Sequence, residues 1–216
     1  MLETAIVAFT TFFATIGPID VAVMFAAMTP RASAEFRRSM AIRGTLIASL
    51  ILLVFALLGD FLLRSLGISL AALQVAGGIL LLLIGIDMVF ARSSGGTTTT
   101  LEETSEAVEK HDISIFPLAT PLIAGPGTMG ATILLMANLK GQYLAELVVF
   151  ITLLVVLLLT LALLLVATKV QQVFGVTGMH VVSRIFGVLL TALAVQFMFN
   201  GLLQSGLFTG GNYPTG

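Results

Sequence analysis

The sequence predicts an all-α membrane protein: six transmembrane helices as two inverted three-helix repeats, with helices 1 and 4 broken. Three observations predict it. The composition is apolar, six apolar stretches match the thickness of a bilayer, and a Gly-Pro signature in the first half returns in the second.

Of the 216 residues, 58% are hydrophobic and 10% charged, with a mean hydropathy of +1.11. Soluble domains carry roughly 25% charged residues, and a soluble chain of this size has too little interior to hide so much apolar surface. A net charge of -1 excludes the basic footprint that nucleic-acid binding needs. The absence of cysteine excludes disulfides, thiolate metal sites and cysteine nucleophiles. Two histidines, His111 and His180, do not make a histidine metal cluster, and no cofactor is predicted. The first apolar stretch starts at Ala5 after Glu3. It lacks a basic n-region and runs past the length of an h-region, which predicts a retained span rather than a cleaved signal.

Crossing the hydrocarbon core takes about 20 helical residues. The stretches that qualify are Ala5–Met28, Ala41–Leu63, Leu70–Phe90, Ile113–Ala137, Leu144–Ala167 and Val181–Leu203. Lipid cannot satisfy the backbone of an open strand, so helices are the form expected. The chain divides into a first three-helix repeat (1–90), a polar loop (91–112), a second three-helix repeat (113–206) and a short tail (207–216). The loop contains a Ser-Ser-Gly-Gly-Thr-Thr-Thr-Thr run and an acidic patch of Glu102, Glu103, Glu106 and Glu109. That patch is a solvated face or a partner site.

Basic residues orient the chain. Arg31, Arg37, Arg38, Arg43, Arg92, Lys110, Lys169 and Arg184 fall on one side, and Arg64 and Lys140 on the other. The eight-to-two split places both termini outside the cytoplasm, in a bacterial inner membrane.

The two halves echo each other. Ile16-Gly17-Pro18-Ile19-Asp20 in span one matches Ala124-Gly125-Pro126-Gly127-Thr128 in span four, 108 residues later. Gln74-Val75-Ala76-Gly77 in span three matches Arg184-Ile185-Phe186-Gly187 in span six, 110 residues later. With three spans per half, the second half enters from the opposite face, which is a ground plan of secondary transporters. Proline removes a backbone donor and clashes with the preceding turn. Pro18, Pro117, Pro121 and Pro126 all fall in spans one and four. Broken helices at mid-membrane are expected at Gly17–Asp20 and Gly125–Thr128, packed near each other, and their freed backbone groups need a polar cavity or a ligand. A simple proline kink is the alternative.

Asp20 lies in the first break and is expected to face the interior, since a carboxylate at the bilayer centre costs roughly 2.5–3.5 kcal/mol. Two compatible roles are open: capping the second half-helix, or holding an ammonium or a proton. Thr128 stands at the matching place and offers a hydroxyl. Gln74, Asp87, Arg184, Gln196 and Asn200 also interrupt apolar helices. Gln196 and Asn200, four apart, share a face of span six and fit interhelical hydrogen bonding as well as substrate contact. Gly77-Gly78 and Gly44/Ala48 mark close helix packing.

These residues resemble the MarC family of integral membrane proteins, which sits beside the LysE-type amino-acid exporters. Span four carries the family pattern as Pro117, Leu118, Ala119, Pro121, Ala124, Gly125, Pro126 and Gly127. Span six is similar through Arg184, Ile185, Gly187, Ala194, Val195, Gln196 and Phe197, and Ala76-Gly77-Gly78 and Thr29-Pro30 also fit. The family shows Asn or Asp, Pro, any residue, then Gly in span one. Here acid and glycine are exchanged, as Gly17-Pro18-Ile19-Asp20. One helical turn separates the two placements, so the carboxylate moves about 4–5 Å along the axis. The resemblance implies transport of small neutral amino acids or similar metabolites.

The function expected is a secondary transporter, by preference an exporter, of a small zwitterion. Its site would comprise Gly17, Pro18, Asp20, Gly125, Pro126, Gly127, Thr128, Gln196 and Asn200, with H+ or Na+ as coupling ion. Its other partner is the lipid bilayer, and a homo-oligomer is compatible with the sequence. The competing classes are a non-transporting scaffold or sensor and, with less support, an intramembrane enzyme. For the last, Gly-x-Ser-x-Gly, His-Glu-x-x-His and Gly-x-Gly-Asp are all missing, so the protein is not expected to be an enzyme.

Overall fold

The computed structural model describes residues 1–29, 32–90 and 112–206, excluding the side chains of residues 27, 60, 64, 168–180, 182 and 183. Pro30 and Arg31, the predicted loop through His111 and the tail 207–216 lie outside the described residues. With them go the acidic patch, Arg92 and Lys110, and the side chains of Lys169 and His180.

In the described residues eight helical segments follow one another: α1 (Leu2–Ile16), α2 (Pro18–Met28), α3 (Ala34–Ser65), α4 (Leu70–Phe90), α5 (Ser114–Ile123), α6 (Pro126–Asn138), α7 (Tyr143–Leu165) and α8 (Ala167–Gln204). The described residues contain no strand. Among the described residues five stretches are long and apolar enough to cross a membrane: Leu2–Ala26, Ala34–Gly59, Leu70–Phe90, Tyr143–Leu165 and Arg184–Gln204. The pair α5 and α6, bent by 54°, makes a sixth where it is counted as one span.

Two predicted boundaries need correction. Span two was placed at Ala41–Leu63, but α3 begins at Ala34, because Glu35, Arg37 and Arg38 are sound helix formers that extend the helix beyond its apolar part. Ser33 starts it, its hydroxyl accepting the Phe36 N–H at 3.1 Å. The connection predicted between spans five and six is largely helical. The chain turns at Val166 (φ -109°, ψ 18°) and α8 then runs 38 residues from Ala167, a length of about 57 Å. Polarity there stops the apolar run without stopping the helix.

Small residues set the closest packing. A methyl on Gly78 of α4 would stand 2.7 Å from the Ala194 carbonyl oxygen of α8, and one on Gly85 3.0 Å from that of Gly187. One on Gly201 would stand 2.7 Å from the Ala71 carbonyl oxygen. Three contacts at seven-residue intervals join α4 and α8 antiparallel, almost backbone to backbone, as small residues permit in a membrane. The helix α3 packs along both parts of the bent pair: Gly44 faces Leu118 of α5, and Gly59 faces Ile133 of α6. The core where these elements meet includes Phe12, Phe25, Leu52, Leu81, Leu118, Ile123, Leu134 and Leu190, all fully buried or nearly so.

Candidate functional site at the paired helix breaks

The first break is a single residue. Gly17 takes φ 59° and ψ 58°, the left-handed conformation that ends helices and favours glycine. Its N–H donates to the Phe13 carbonyl at 3.0 Å, and α2 starts at once with Pro18 in the first position, where the missing N–H costs nothing. Val21 N–H then donates back to the Gly17 carbonyl at 2.9 Å.

The second break is built differently. In α5, Phe116 and Thr120, each preceding a proline, are extended at φ/ψ -128°/127° and -131°/131°, the region to which a following proline ring pushes its neighbour. Both X-Pro bonds are cis. The segment winds as a wide π-type coil, with Leu118 N–H to the Ile113 carbonyl at 3.2 Å and Ala124 N–H to the Ala119 carbonyl at 2.8 Å. Ala124 and Gly125 (φ -80°, ψ 168°) form the break, and α6 begins at Pro126. The breaks are therefore shorter than predicted, at Gly17 and at Ala124–Gly125. Asp20 and Thr128 belong to the first turns of the helices that follow.

One hydrogen bond joins the two places. The Thr128 hydroxyl donates to the Thr15 carbonyl at 3.1 Å, and both residues are buried. Thr15 is among the last residues of α1, whose final four carbonyls have no partner further along the helix. Around this bond lies a buried line of hydroxyls. Thr15 donates to the Thr11 carbonyl at 2.8 Å, Thr132 donates to the Thr128 carbonyl at 2.7 Å, and the Thr11 oxygen is enclosed without a hydrogen-bond partner. The starts of α2 and α6, where free amides and the positive helix ends lie, flank this line.

The remaining predicted residues divide. Pro18 and Gly125 are buried and Pro126 is exposed, while Gly127 is buried against the Ile84 side chain of α4. Asp20, expected to face the interior, lies on the exposed side of α2. The buried face of that helix carries Pro18, Val21, Ala22 and Phe25, and Asp20 sits about 200° round the axis from both Pro18 and Ala22. Its carboxylate folds back over the break, since a methyl on Gly17 would stand 3.3 Å from Oδ2. Gln196 is exposed and its amide donates to Asn200 at 3.0 Å, so these two hold each other on one face of α8.

Several polar residues were missed by sequence reasoning. Thr11 and Thr15, four apart in span one, are a legible signal only in retrospect, because threonine is common in membrane helices. Gln74 was singled out, but its partner was not: its amide donates to the Asn138 side-chain Oδ1, and its own Oε1 is buried without a partner. At the other end of the bent pair, Arg43 of α3 donates to Asp112 at 3.3 Å. The Ser114 hydroxyl and backbone N–H, bonding Asp112 at 2.6 and 3.0 Å, hold its carboxyl below the ordinary value of 3.8. Arg43 adds a smaller pull the same way, and partial desolvation opposes them. Among the described residues no group of histidine, aspartate or glutamate side chains is placed to hold a metal ion.

Residues 2–205 match the family described as MarC family integral membrane protein. A UPF0056 membrane protein of Methanocaldococcus jannaschii is 37% identical over 93% of this chain and 97% of its own length. The UPF0056 membrane protein of Archaeoglobus fulgidus is 34% identical over 91% of each chain. YhcE of Escherichia coli, of the same description, is 33% identical over 92% of this chain and 90% of its own. No solved structure matches the chain.

Proposed function

The chain belongs to the MarC family of integral membrane proteins, and from that premise we propose that it is a secondary transporter, an exporter of small neutral amino acids or similar small metabolites. The observation that carries the reading is the hydrogen bond from Thr128 to the freed carbonyl of Thr15, which couples the two breaks. A zwitterion needs donors for its carboxylate and acceptors for its ammonium. The starts of α2 and α6 offer the donors, and the carbonyl end of α1 offers acceptors, as in transporters built on discontinuous helices. Asp20, folded over Gly17 on the exposed side of α2, is the group assigned to a proton or an ammonium on its way in or out. Gln196 and Asn200, bonded to each other, are secondary candidates.

Two further geometries support a six-span inverted repeat. Gly44 to Gly59 is 15 residues along α3, and their partners Leu118 and Ile133 are likewise 15 apart, or about 22 Å of helix. The bent pair thus keeps pace with a continuous helix, as a crossing span does and a re-entrant loop does not. In the α4/α8 seam, Gly78 pairs with Ala194 and Gly85 with Gly187. These contacts join the third helix of each half antiparallel, as inverted halves require. The termini-out orientation in a bacterial inner membrane rests on the basic split alone.

The test is counterflow in proteoliposomes against the standard amino acids, under imposed H+ or Na+ gradients. Saturable exchange of small neutral amino acids is expected. Asp20→Asn should fold normally and shift or abolish the pH dependence of flux. Absence of flux for every amino acid under both gradients, with monodisperse protein, would leave a scaffold or sensor role.

A further inference from the structure

Away from the breaks, a cleft of about 410 Å³ opens where three helix ends meet on one membrane face. Ala34, Arg37 and Arg38 of α3 line one side, and Leu164 and Leu165 of α7 with Ala167 of α8 line the other. It lies where the apolar spans Ala34–Gly59 and Tyr143–Leu165 begin and end, and so at the level of the headgroups. The described lining is divided: two guanidiniums on α3, and aliphatic or methyl groups on α7 and α8. Among the described residues no carboxylate lines it, although Glu35 lies nearby in sequence on the exposed side of α3.

Arg38 is exposed, and Arg37 is half-buried with one nitrogen 3.5 Å from the Thr29 carbonyl. That contact anchors Arg37 beside the cleft and leaves its other donors for an anion. The apolar wall continues outward. Leu165, Leu158, Val155 and Ile151 form an exposed stripe along α7 that runs about 21 Å from the cleft toward the opposite face, close to the length of an acyl chain.

We propose that this cleft binds an anionic phospholipid, its phosphate held by Arg37 and Arg38 and an acyl chain laid along the α7 stripe. A free phosphate would use the guanidiniums alone. A zwitterionic lipid would bring a cation to a place lined by two cations. The anionic lipid satisfies both halves of the lining. Basic pockets between membrane helices act in this way on lipid headgroups. The inference is independent of what the protein transports.

Native mass spectrometry of the purified full chain tests it, with phosphatidylglycerol, phosphatidylcholine and inorganic phosphate as probes. Wild-type protein should retain phosphatidylglycerol over phosphatidylcholine, and R37Q/R38Q should lower that selectivity roughly tenfold or more. Lys140→Gln, at the turn between α6 and α7, should leave it unchanged. Should the double variant fail to fold, Arg38→Gln alone removes an exposed side chain and should lower the selectivity several-fold. Unchanged selectivity in folded R37Q/R38Q, or in Arg38→Gln where only that variant folds, overturns the proposal. So does an equal loss in Lys140→Gln, which marks general surface charge, or full displacement of the lipid by millimolar phosphate, which marks a site for free anions.

Discussion

At the first break the chain turns on Gly17, whose φ of 59° lies in the left-handed region. At the second it passes through Ala124 and Gly125 at φ -94° and -80°, angles open to any residue. The first is a sharp interruption in a run that still qualifies as a single span, Leu2–Ala26, while the second carries a 54° bend and a ten-residue wide coil before it. The same Gly-Pro pair thus does two jobs. In span one the glycine supplies a conformation and the proline starts the next helix. In span four the prolines at 117 and 121 do the distorting, and Gly125 sits in extended backbone before the next helix. One break is set by backbone dihedrals, the other by proline sterics, and Thr128 ties them together.

That contrast can be broken or sharpened by substitution. The largest stability effect is expected from Thr128→Val, which keeps the shape and removes the hydroxyl. The Thr15 carbonyl is left buried without its partner, at a cost of about 1–3 kcal/mol, and Thr128→Ser should recover most of it. Unfolding in mixed detergent micelles measures both. Next comes Gly17→Ala, about 1–2 kcal/mol from the left-handed backbone, with added crowding against Asp20. Gly125→Ala should cost less than Gly17→Ala, under about 1 kcal/mol, since its backbone needs no glycine. Equal costs at the two glycines would erase the distinction between the breaks.

The smallest effect concerns the entrance to α5. Asp112 has a folded pKa below 3.8, so its contribution is present above that value and is lost as pH falls through the lower, folded one. Its side chain is 47% exposed and that of Arg43 60%, so the ion pair is worth a fraction of a kcal/mol. Asp112→Asn should therefore lower stability slightly at pH 7 and flatten its fall below about pH 4, measured by the same unfolding assay.

Much of this was legible before the structure. Apolar run lengths located α4 to the residue and α7 within two residues at either end, because a bilayer selects for unbroken hydrophobicity. They misplaced the start of α3 and most of the approach to span six, because arginine, glutamine and threonine interrupt hydrophobicity without interrupting a helix. The Gly-Pro pairs located both breaks. They did not reveal which glycine was left-handed, since a proline at the first helical position is compatible with either conformation before it. Asp20 is exposed rather than enclosed, which desolvation cost alone does not foresee. The packed face of α2 is set by Val21, Ala22 and Phe25, and the acid lies off that face. Thr15 could be picked out only in retrospect, because its bond to Thr128 uses a backbone carbonyl that any residue would have supplied.

The central claim is that the two breaks form one site, joined at Thr128. Efflux of labelled alanine from proteoliposomes by wild type, Thr128→Val, Thr128→Ser and Gln196→Ala tests it most directly. Saturable efflux by the wild type is expected, with a fall of at least tenfold in Thr128→Val, recovery in Thr128→Ser and little change in Gln196→Ala. Wild-type efflux by folded, monodisperse Thr128→Val would contradict it.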